Sequence, residues 1–409
     1  MTVSLSKSAL INDAKVSITG SKSESNRLLL LKALYPEIEI SNLSNSDDSQ
    51  LMTRALQSDS NLKDIHHAGT AMRFLTAYYA IQSGKEIVLT GSKRMKERPI
   101  KVLVDALNAI GASIDYVENE GYPPLRIAGS NNLKESVSIK ANVSSQYISA
   151  LLLIAAKLPK GLTLTLEGTV TSIPYIKMTL SLLEQVGIKY AFENNVIRIE
   201  PLKSLQKSRE LVVESDWSSA SYFYSLIALS KVGTKIFLSS YKENSLQGDS
   251  VLAKLYRNFG VETTFIDHSI VLEKVTVPRR LSVQFDLIEA PDIAQTIAVT
   301  SAGLGMGCTL TGLHTLKIKE TDRLVALKNE LKKFGADISV TDDTLYLQPC
   351  QALESNVSVS TYNDHRMAMA FAPLALVTDL KIDDADVVSK SYPDFWQDLI
   401  KIGVAVTES

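Results

Sequence analysis

Apolar and polar positions along the chain fall into a scheme that recurs four times. Each copy has the 3.6-residue pattern of an amphipathic helix, then an apolar residue followed by glycine. Two short runs come next, in which apolar and polar residues alternate as in half-buried strands. The copies read ALNAIGASIDYVENEGYPPLRI, LLEQVGIKYAFENNVIRI, LYRNFGVETTFIDHSIVL and ELKKFGADISVTDDTLYL. Their glycines, Gly111, Gly187, Gly260 and Gly335, are 76, 73 and 75 residues apart. Each stands where a helix has to stop and the chain reverse, a position that favours left-handed backbone. Glu193-Asn194-Asn195 and Asp342-Asp343 supply turns between the alternating strands.

A fifth, truncated copy, DLIKIGVAVTES, follows with Gly403 68 residues after Gly335. A sixth is expected near residues 51–65, where LMTRALQSDSNLKDI starts as a helix but lacks the glycine and the hairpin. It is read as a degenerate copy. Six units of roughly 70 residues predict an α/β or α+β fold built by repetition, in two domains of three units. The period is too long for ankyrin or tetratricopeptide arrays. It also lacks the single βα alternation of a TIM barrel.

Composition narrows the class. Of 409 residues, 45% are hydrophobic and 22% charged, which excludes a disordered or collagen-like chain. A formal charge of −2 provides no basic excess for non-specific nucleic-acid binding. Two cysteines, Cys308 and Cys350, are too few for a disulfide framework or a zinc cluster. The most apolar stretch, Ile148 to Ala156, is about half a bilayer span, and MTVSLSKSALINDAKV has no apolar signal region. A soluble, cytoplasmic protein is expected.

Several segments break the periodic pattern by gathering cations, small hydroxyl residues and glycine. GSKSESNRLLLLKAL places Lys22, Ser23 and Arg27 at the start of an apolar helix, where unpaired N–H groups favour an anion. The P-loop spacing is missing there. HAGTAMRFLTA repeats the glycine-to-helix entry, with Arg73 one turn in. KRMKERP holds Arg98, whose planar fork suits carboxylate or phosphate, and ends on Pro99 at a helix start. VSSQYISALLLIAA puts Ser144, Ser145 and Gln146 before a buried helix, and SIPYIKMTL contributes Ser172 and Tyr175.

The C-terminal half is sharper. APDIAQTIAV has Asp292 opening an apolar helix, and KIKETDR has Lys319, with Glu320 and Arg323 at i, i+3. NDHRMAM sets Asp364, His365 and Arg366 before an apolar helix, and Lys390 follows in KSYPDF. Each segment taken singly also reads as a helix cap, an ion pair or a solvated face. Together they describe an anion pocket with a few carboxylates and lysines, suited to general acid–base chemistry on a multiply charged small molecule. No metal-ligand motif, no GxSxG elbow and no cysteine in an electropositive motif is present, so neither a metal nor a covalent nucleophile is implied.

GSKSESNR, AGTAMR, RMKERP, SSQ, APDIAQTIA, KETDR, NDHRMAM and the lysine of KSYPDF occur in this order along almost the whole chain. Together they resemble the EPSP synthase (3-phosphoshikimate 1-carboxyvinyltransferase) family of enolpyruvyl transferases. The resemblance implies an inside-out α/β barrel of two domains, each of three βαβαββ units. Residues 21–214 would be one domain and residues 1–20 with 215–409 the other, with the active site in the cleft between them. It implies transfer of the enolpyruvyl group of phosphoenolpyruvate to the 5-hydroxyl of shikimate 3-phosphate, through a tetrahedral intermediate, with release of phosphate. No cofactor is implied, and the chain would act as a monomer.

Carried over by motif, Lys22, Ser23, Arg27, Ser144, Ser145, Gln146, Ser172, Tyr175, Asp292 and Lys319 would hold shikimate 3-phosphate. Lys22, Gly69, Arg98, Gln146, Arg323, His365, Arg366 and Lys390 would surround phosphoenolpyruvate. Asp292 would accept the hydroxyl proton, and Lys22 and Glu320 would move protons at the methylene carbon. Because the cations are divided between the domains, closure driven by substrate is expected.

Three positions depart from the family pattern. His67 stands where asparagine is usual, and Thr315 where an asparagine that touches the shikimate moiety is common. Phe74 replaces the usual proline after AGTAMR, which is expected to shift that helix and alter the response to glyphosate, a phosphoenolpyruvate-competitive inhibitor. The sister transferase acting on UDP-N-acetylglucosamine typically has a reactive cysteine in the loop that here reads KRMKERP, and this loop has none. A silent anion-binding protein on the same scaffold is disfavoured because Asp292 and Glu320 are both present.

Overall fold

Left-handed backbone marks the glycine of each of the five predicted copies that has one. φ is +104° at Gly111, +92° at Gly187, +77° at Gly260, +84° at Gly335 and +101° at Gly403, a region costly for any residue with a Cβ. Asn194 and Asn195, with φ of +50° and +62°, turn the chain between strands Tyr190–Glu193 and Val196–Ile199. Asp267 and His268 do the same between Val261–Ile266 and Ser269–Lys274.

The computed structural model describes residues 1–141, 144–168, 170 and 173–408. They form two compact units, Gly20–Val213, and Met1–Thr19 with Glu214–Ser409.

Unit Gly20–Val213 contains helices α1 (Lys22–Leu34), α2 (Asp47–Gln57), α3 (Gly69–Ala80), α4 (Lys101–Ala109), α5 (Ser145–Ala155) and α6 (Ile173–Gln185). Two of its sheets have four strands in one order. In the first, Leu62–Asp64 runs parallel to Glu86–Thr90, followed by antiparallel Leu125–Ala128 and then Ser113–Tyr116. The second repeats this with Ser136–Lys140, Leu162–Glu167, Val196–Ile199 and Tyr190–Glu193. The third is only the parallel pair Ile38–Ser41 and Arg209–Val212. This is the degenerate copy, since α2 ends at Gln57 and is capped by Ser58 with no glycine after it, and no hairpin follows it. Helix α3 is buried along its whole length, and α5 at all but one position, as nearly all-apolar helices must be.

The other unit contains α7 (Trp217–Leu229), α8 (Leu252–Leu255), α9 (Ala294–Gly303), α10 (Arg323–Lys333), α11 (His365–Phe371) and α12 (Phe395–Lys401). All three of its sheets follow the same four-strand order. They are Ala14–Val16, Lys235–Ser239, Ser269–Lys274, Val261–Ile266; then Ser282–Asp286, Gly307–Thr311, Leu345–Leu347, Ile338–Val340; then Val357–Val359, Leu380–Ile382, Val3–Ser6, Ala405–Glu408. The copy that looks truncated in the sequence is therefore completed by a strand from the N-terminus.

Buried hydroxyls lock the inner helices α7 and α9 in register. The Ser221 and Thr296 hydroxyls are 3.0 Å apart, and Thr300 Oγ1 donates to Ser225 Oγ at 2.7 Å. Each pairing satisfies polar groups that would otherwise be costly to bury. Among the described residues no helix is long and apolar enough to cross a membrane.

Candidate active site

Helix starts leave N–H groups without intrahelical partners, and the helix dipole adds partial positive charge there. In unit Gly20–Val213 neither Ser21 before α1 nor Ala68 before α3 makes a side-chain cap, so those donors are available to an anion. Gly69 opens α3 for a steric reason. A Cβ at this position would lie 2.5 Å from Arg98 Nη1, so only glycine lets that guanidinium lie against the helix start. Arg73 braces the same loop from below, donating to the Gly69 carbonyl at 3.2 Å and the Pro99 carbonyl at 2.9 Å. Burial, with Arg98 nearby, pushes Arg73 down to about 10, and it remains a cation at neutral pH. Gln146 Nε2 donates to Thr70 Oγ1 at 3.2 Å and ties the first turn of α5 to that of α3. Ser144 caps α5 by accepting from the Gln146 N–H, and Ser145, in the same turn, is buried.

Arg27, one turn into α1, is buried among three other elements. Nε donates to Thr179 Oγ1 at 2.7 Å, Nη1 to the Ser23 carbonyl at 2.7 Å and Nη2 to Ser149 Oγ at 3.1 Å. Its guanidinium carbon lies 5.3 Å from the centre of the Phe74 ring and 5.9 Å from that of Tyr175. Desolvation pushes it down to about 10, which leaves the charge in place. Lys22 Nζ lies 3.9 Å from Asp48 Oδ2, and His67 Nε2 is 3.9 Å from the carboxylates of both Asp47 and Asp48. Helix α3 runs unbroken through Phe74. Ser172 lies outside the described residues.

The second unit brings its candidates into one charged network. Arg323 Nε donates to Asp364 Oδ2 at 2.6 Å, Nη1 to Asp292 Oδ1 at 2.8 Å and Nη2 to Glu320 Oε2 at 2.8 Å. Asp292 also pairs with Arg366 Nη2 at 3.3 Å and Lys319 Nζ at 3.5 Å. Burial would raise the Asp292 carboxyl, but Arg366, Lys319 and Arg323 outweigh it and hold the group well below the usual carboxylate range. Lys390 Nζ donates at 2.6 Å to the carbonyl of Asn363, the residue before Asp364. His365 is buried in the first turn of α11, its Nδ1 3.8 Å from Asp364 Oδ1. The Thr315 hydroxyl is buried and has no hydrogen-bond partner among the described residues. Burial pushes the Cys308 thiol up to about 12, which makes it a poor nucleophile.

One regularity went unused at the sequence level. Asp216, Asp292 and Asp364 recur 76 and 72 residues apart, one before each inner helix. Asp216 caps α7 by accepting from the Ser219 N–H at 2.7 Å, and Asp364 caps α11 through the Arg366 N–H at 2.9 Å. Asp292 instead follows Pro291 in a tight 3-10 turn before α9 and makes no cap, so both its oxygens face cations. Departure from the capping role singles it out. Ser218, which accepts from Arg366 Nη2 at 3.3 Å, was also missed, although it stands in the first turn after the first of these acids.

Comparison with known proteins follows the same line. A family model for EPSP synthase (3-phosphoshikimate 1-carboxyvinyltransferase) matches residues 57–399. A 3-phosphoshikimate 1-carboxyvinyltransferase of Bacteroides fragilis is 44% identical over 399 residues, covering 96% of each chain. One from Mannheimia haemolytica is 35% identical over 428 residues, covering 96% of this chain and 97% of that one. The solved EPSP synthase of Acinetobacter baumannii matches with a TM-score of 0.79 at 21% identity over 100% of both chains. The enolpyruvyl transferase NikO of Streptomyces tendae matches with 0.75 at 13% identity, covering 100% of this chain and 98% of that one. These last two establish the fold. With Asp292 held among Arg323, Arg366 and Lys319, and relatives this similar over nearly their whole length, the chain belongs to the EPSP synthase family of 3-phosphoshikimate 1-carboxyvinyltransferases.

Proposed function

We propose that the two residue sets serve one reaction, the family's transfer of the enolpyruvyl group of phosphoenolpyruvate to the 5-hydroxyl of shikimate 3-phosphate. The observation that carries the assignment is the clasp of three cations on Asp292. A carboxylate so held is a weak base. An incoming carboxylate or phosphate competes for Arg366, Arg323 and Lys319, and each cation drawn away raises the basicity of Asp292. The base therefore becomes active when the anionic substrates arrive.

In this reading Lys22, Ser23, Arg27, Ser144, Ser145, Gln146, Ser172, Tyr175, Asp292 and Lys319 hold shikimate 3-phosphate. Lys22, Gly69, Arg98, Gln146, Arg323, His365, Arg366 and Lys390 hold phosphoenolpyruvate. The 5-oxygen attacks C2 of phosphoenolpyruvate while its proton passes to Asp292, and the methylene C3 takes a proton from Glu320 or Lys22. The resulting tetrahedral adduct loses phosphate by C–O cleavage as a methyl proton returns to the protein. Arg323 touches both Asp292 and Glu320, so its engagement by substrate adjusts both proton-transfer groups together. Gly20–Val213 and the remainder of the chain would be the two domains, working as a cytoplasmic monomer.

Phosphate release from phosphoenolpyruvate, with shikimate 3-phosphate or UDP-N-acetylglucosamine in parallel, tests this. Release with shikimate 3-phosphate alone is expected, and release with the UDP-sugar alone would overturn the acceptor assignment. Asp292→Asn should lower kcat by about 10²- to 10⁴-fold, as loss of a general base does, and weaken shikimate 3-phosphate binding far less.

A further inference from the structure

The segment SLQGDS, residues 245–250, has no part in the site described above, yet it is fixed against the first turn of α7. Gln247 Oε1 accepts from the Trp217 N–H at 2.9 Å, and its Nε2 donates to the Ser215 carbonyl at 2.9 Å. Ser245 Oγ donates to Glu214 at 2.6 Å and accepts from the Gln247 N–H at 3.1 Å. The next turn delivers Asp249, 5% exposed, onto Ser218. Asp249 Oδ2 accepts from the Ser218 hydroxyl, while Oδ1 is buried with no hydrogen-bond partner among the described residues.

Charge sets the direction of this chain. Arg366 can only donate and an ionised Asp249 can only accept, so the single Ser218 proton goes to Asp249 and its lone pairs receive Arg366 Nη2 at 3.3 Å. Arg366 thus has two anionic supports, one direct in Asp292 and one through a hydroxyl in Asp249. The direct support is the group that takes up the substrate proton and loses its charge when it does so.

We propose that Asp249 is a positioning residue for enolpyruvyl transfer, which acts through the Ser218 hydroxyl to hold the Arg366 guanidinium in place from the moment phosphoenolpyruvate draws it away from Asp292, and on through the step in which Asp292 carries the substrate proton. This role rests on the reading of Arg366 as a phosphoenolpyruvate ligand. The groups that face Asp249 are Ser218 and Asp216 from the start of α7, Arg366 from α11 and Asp292 from the turn before α9. Burial and then the Asp292 charge push the Asp249 carboxyl up to about 6, against the pull of Arg366. Neutralising Asp292 removes that repulsion, so Asp249 is more firmly ionised at the moment its charge is needed.

Steady-state kinetics on the full chain decide the matter, with Asp249→Asn, Ser218→Ala, their double variant and Arg366→Lys as the set. Asp249→Asn and Ser218→Ala should each raise KM for phosphoenolpyruvate about tenfold, the size of one charge-assisted hydrogen bond. KM for shikimate 3-phosphate should stay within about twofold, and the double variant should be no worse than Ser218→Ala because the two residues act in series. Ser218→Thr, which keeps the hydroxyl, should restore the wild-type value. If Asp249→Asn fails to fold, the wild-type to Ser218→Ala ratio of kcat/KM for phosphoenolpyruvate carries the test: it should fall below about pH 6, where Asp249 loses its charge, and a pH-independent ratio would overturn the role of Asp249.

The ratio of wild-type to Asp249→Asn kcat/KM for phosphoenolpyruvate, in which the substrate's own titration cancels, should fall toward one below about pH 6, where Asp249 is neutral. Additive effects in the double variant, or unchanged KM in both single variants while Arg366→Lys raises it, would overturn the role of Asp249 and leave Arg366 as a ligand. An unchanged KM in Arg366→Lys as well would remove both.

Discussion

Arg27 shows how a single guanidinium can be buried and still keep its charge. Its Nε, Nη1 and Nη2 are committed to Thr179, Ser23 and Ser149, and its guanidinium carbon lies over the Phe74 ring. Phe74 is one of the departures from the family pattern, and α3 continues straight through it. A desolvated cation–π contact is worth on the order of 1–2 kcal/mol. Phe74→Leu keeps the apolar volume but loses the π face, so Arg27 should gain freedom to rotate away from the shikimate 3-phosphate it is proposed to hold. KM for shikimate 3-phosphate should rise about fivefold with kcat and KM for phosphoenolpyruvate nearly unchanged. Kinetics with each substrate varied in turn would show it, and equal changes in both KM values would mean that the ring merely fills space. No local sequence signal reports this contact, because residues 27 and 74 meet only after α1 and α3 have packed.

Elements were more legible than contacts. The glycine that ends a helix and the Asn or Asp pairs that turn a hairpin act within a few residues, and both are visible as printed in the chain. The degenerate copy was legible for the same reason, as a helix without its glycine. What the sequence did not reveal was how α10 shapes the loop before α11. Tyr362 and Asn363 both have left-handed backbone, with φ of +54° and +56°, which asparagine accepts readily but which is strained for tyrosine. Glu330, wholly buried on α10, holds the loop by accepting from the Ser360 N–H at 2.9 Å and the Tyr362 hydroxyl at 2.7 Å. The same helix carries Arg323 two turns earlier, so one rigid element sets both Arg323 and the segment that presents Asp364 and Arg366. Glu330→Gln replaces one acceptor with a donor and leaves a buried partner unmet, at a cost of about 1–3 kcal/mol. Tm should fall by a few degrees, and kcat/KM for phosphoenolpyruvate should fall more than that for shikimate 3-phosphate. Tyr362→Phe, which loses only one bond, should be milder in both, and a larger effect from it would place the tyrosine itself at the substrate.

At the scale of the whole chain, the two ends are structurally one piece. Val3–Ser6 lies between Leu380–Ile382 and Ala405–Glu408, so the C-terminal strand pairs within its sheet only with the N-terminal one. The sequence shows a truncated fifth copy because its missing strand lies nearly four hundred residues away, and no local pattern can report such a pairing. Val3 and Leu5 point into the core with 0% and 1% of their surface exposed. Removing residues 1–6 would expose the apolar surface they cover and leave Ala405–Glu408 without its ladder. Two such side chains contribute about 3–5 kcal/mol, or roughly 10 °C in Tm for a unit of this size. Unit Gly20–Val213 takes no strand from this segment, so its own unfolding transition should be unmoved. Calorimetry of the truncated chain should therefore resolve two transitions, with only one displaced. A synthetic peptide of residues 1–12 added in excess should pair with the vacated strands and raise the displaced transition again, since binding to the folded state alone stabilises it by mass action. A single unshifted transition would mean that the strand adds order to the ends without holding the unit together, and the stability of that unit would then reside in its helices.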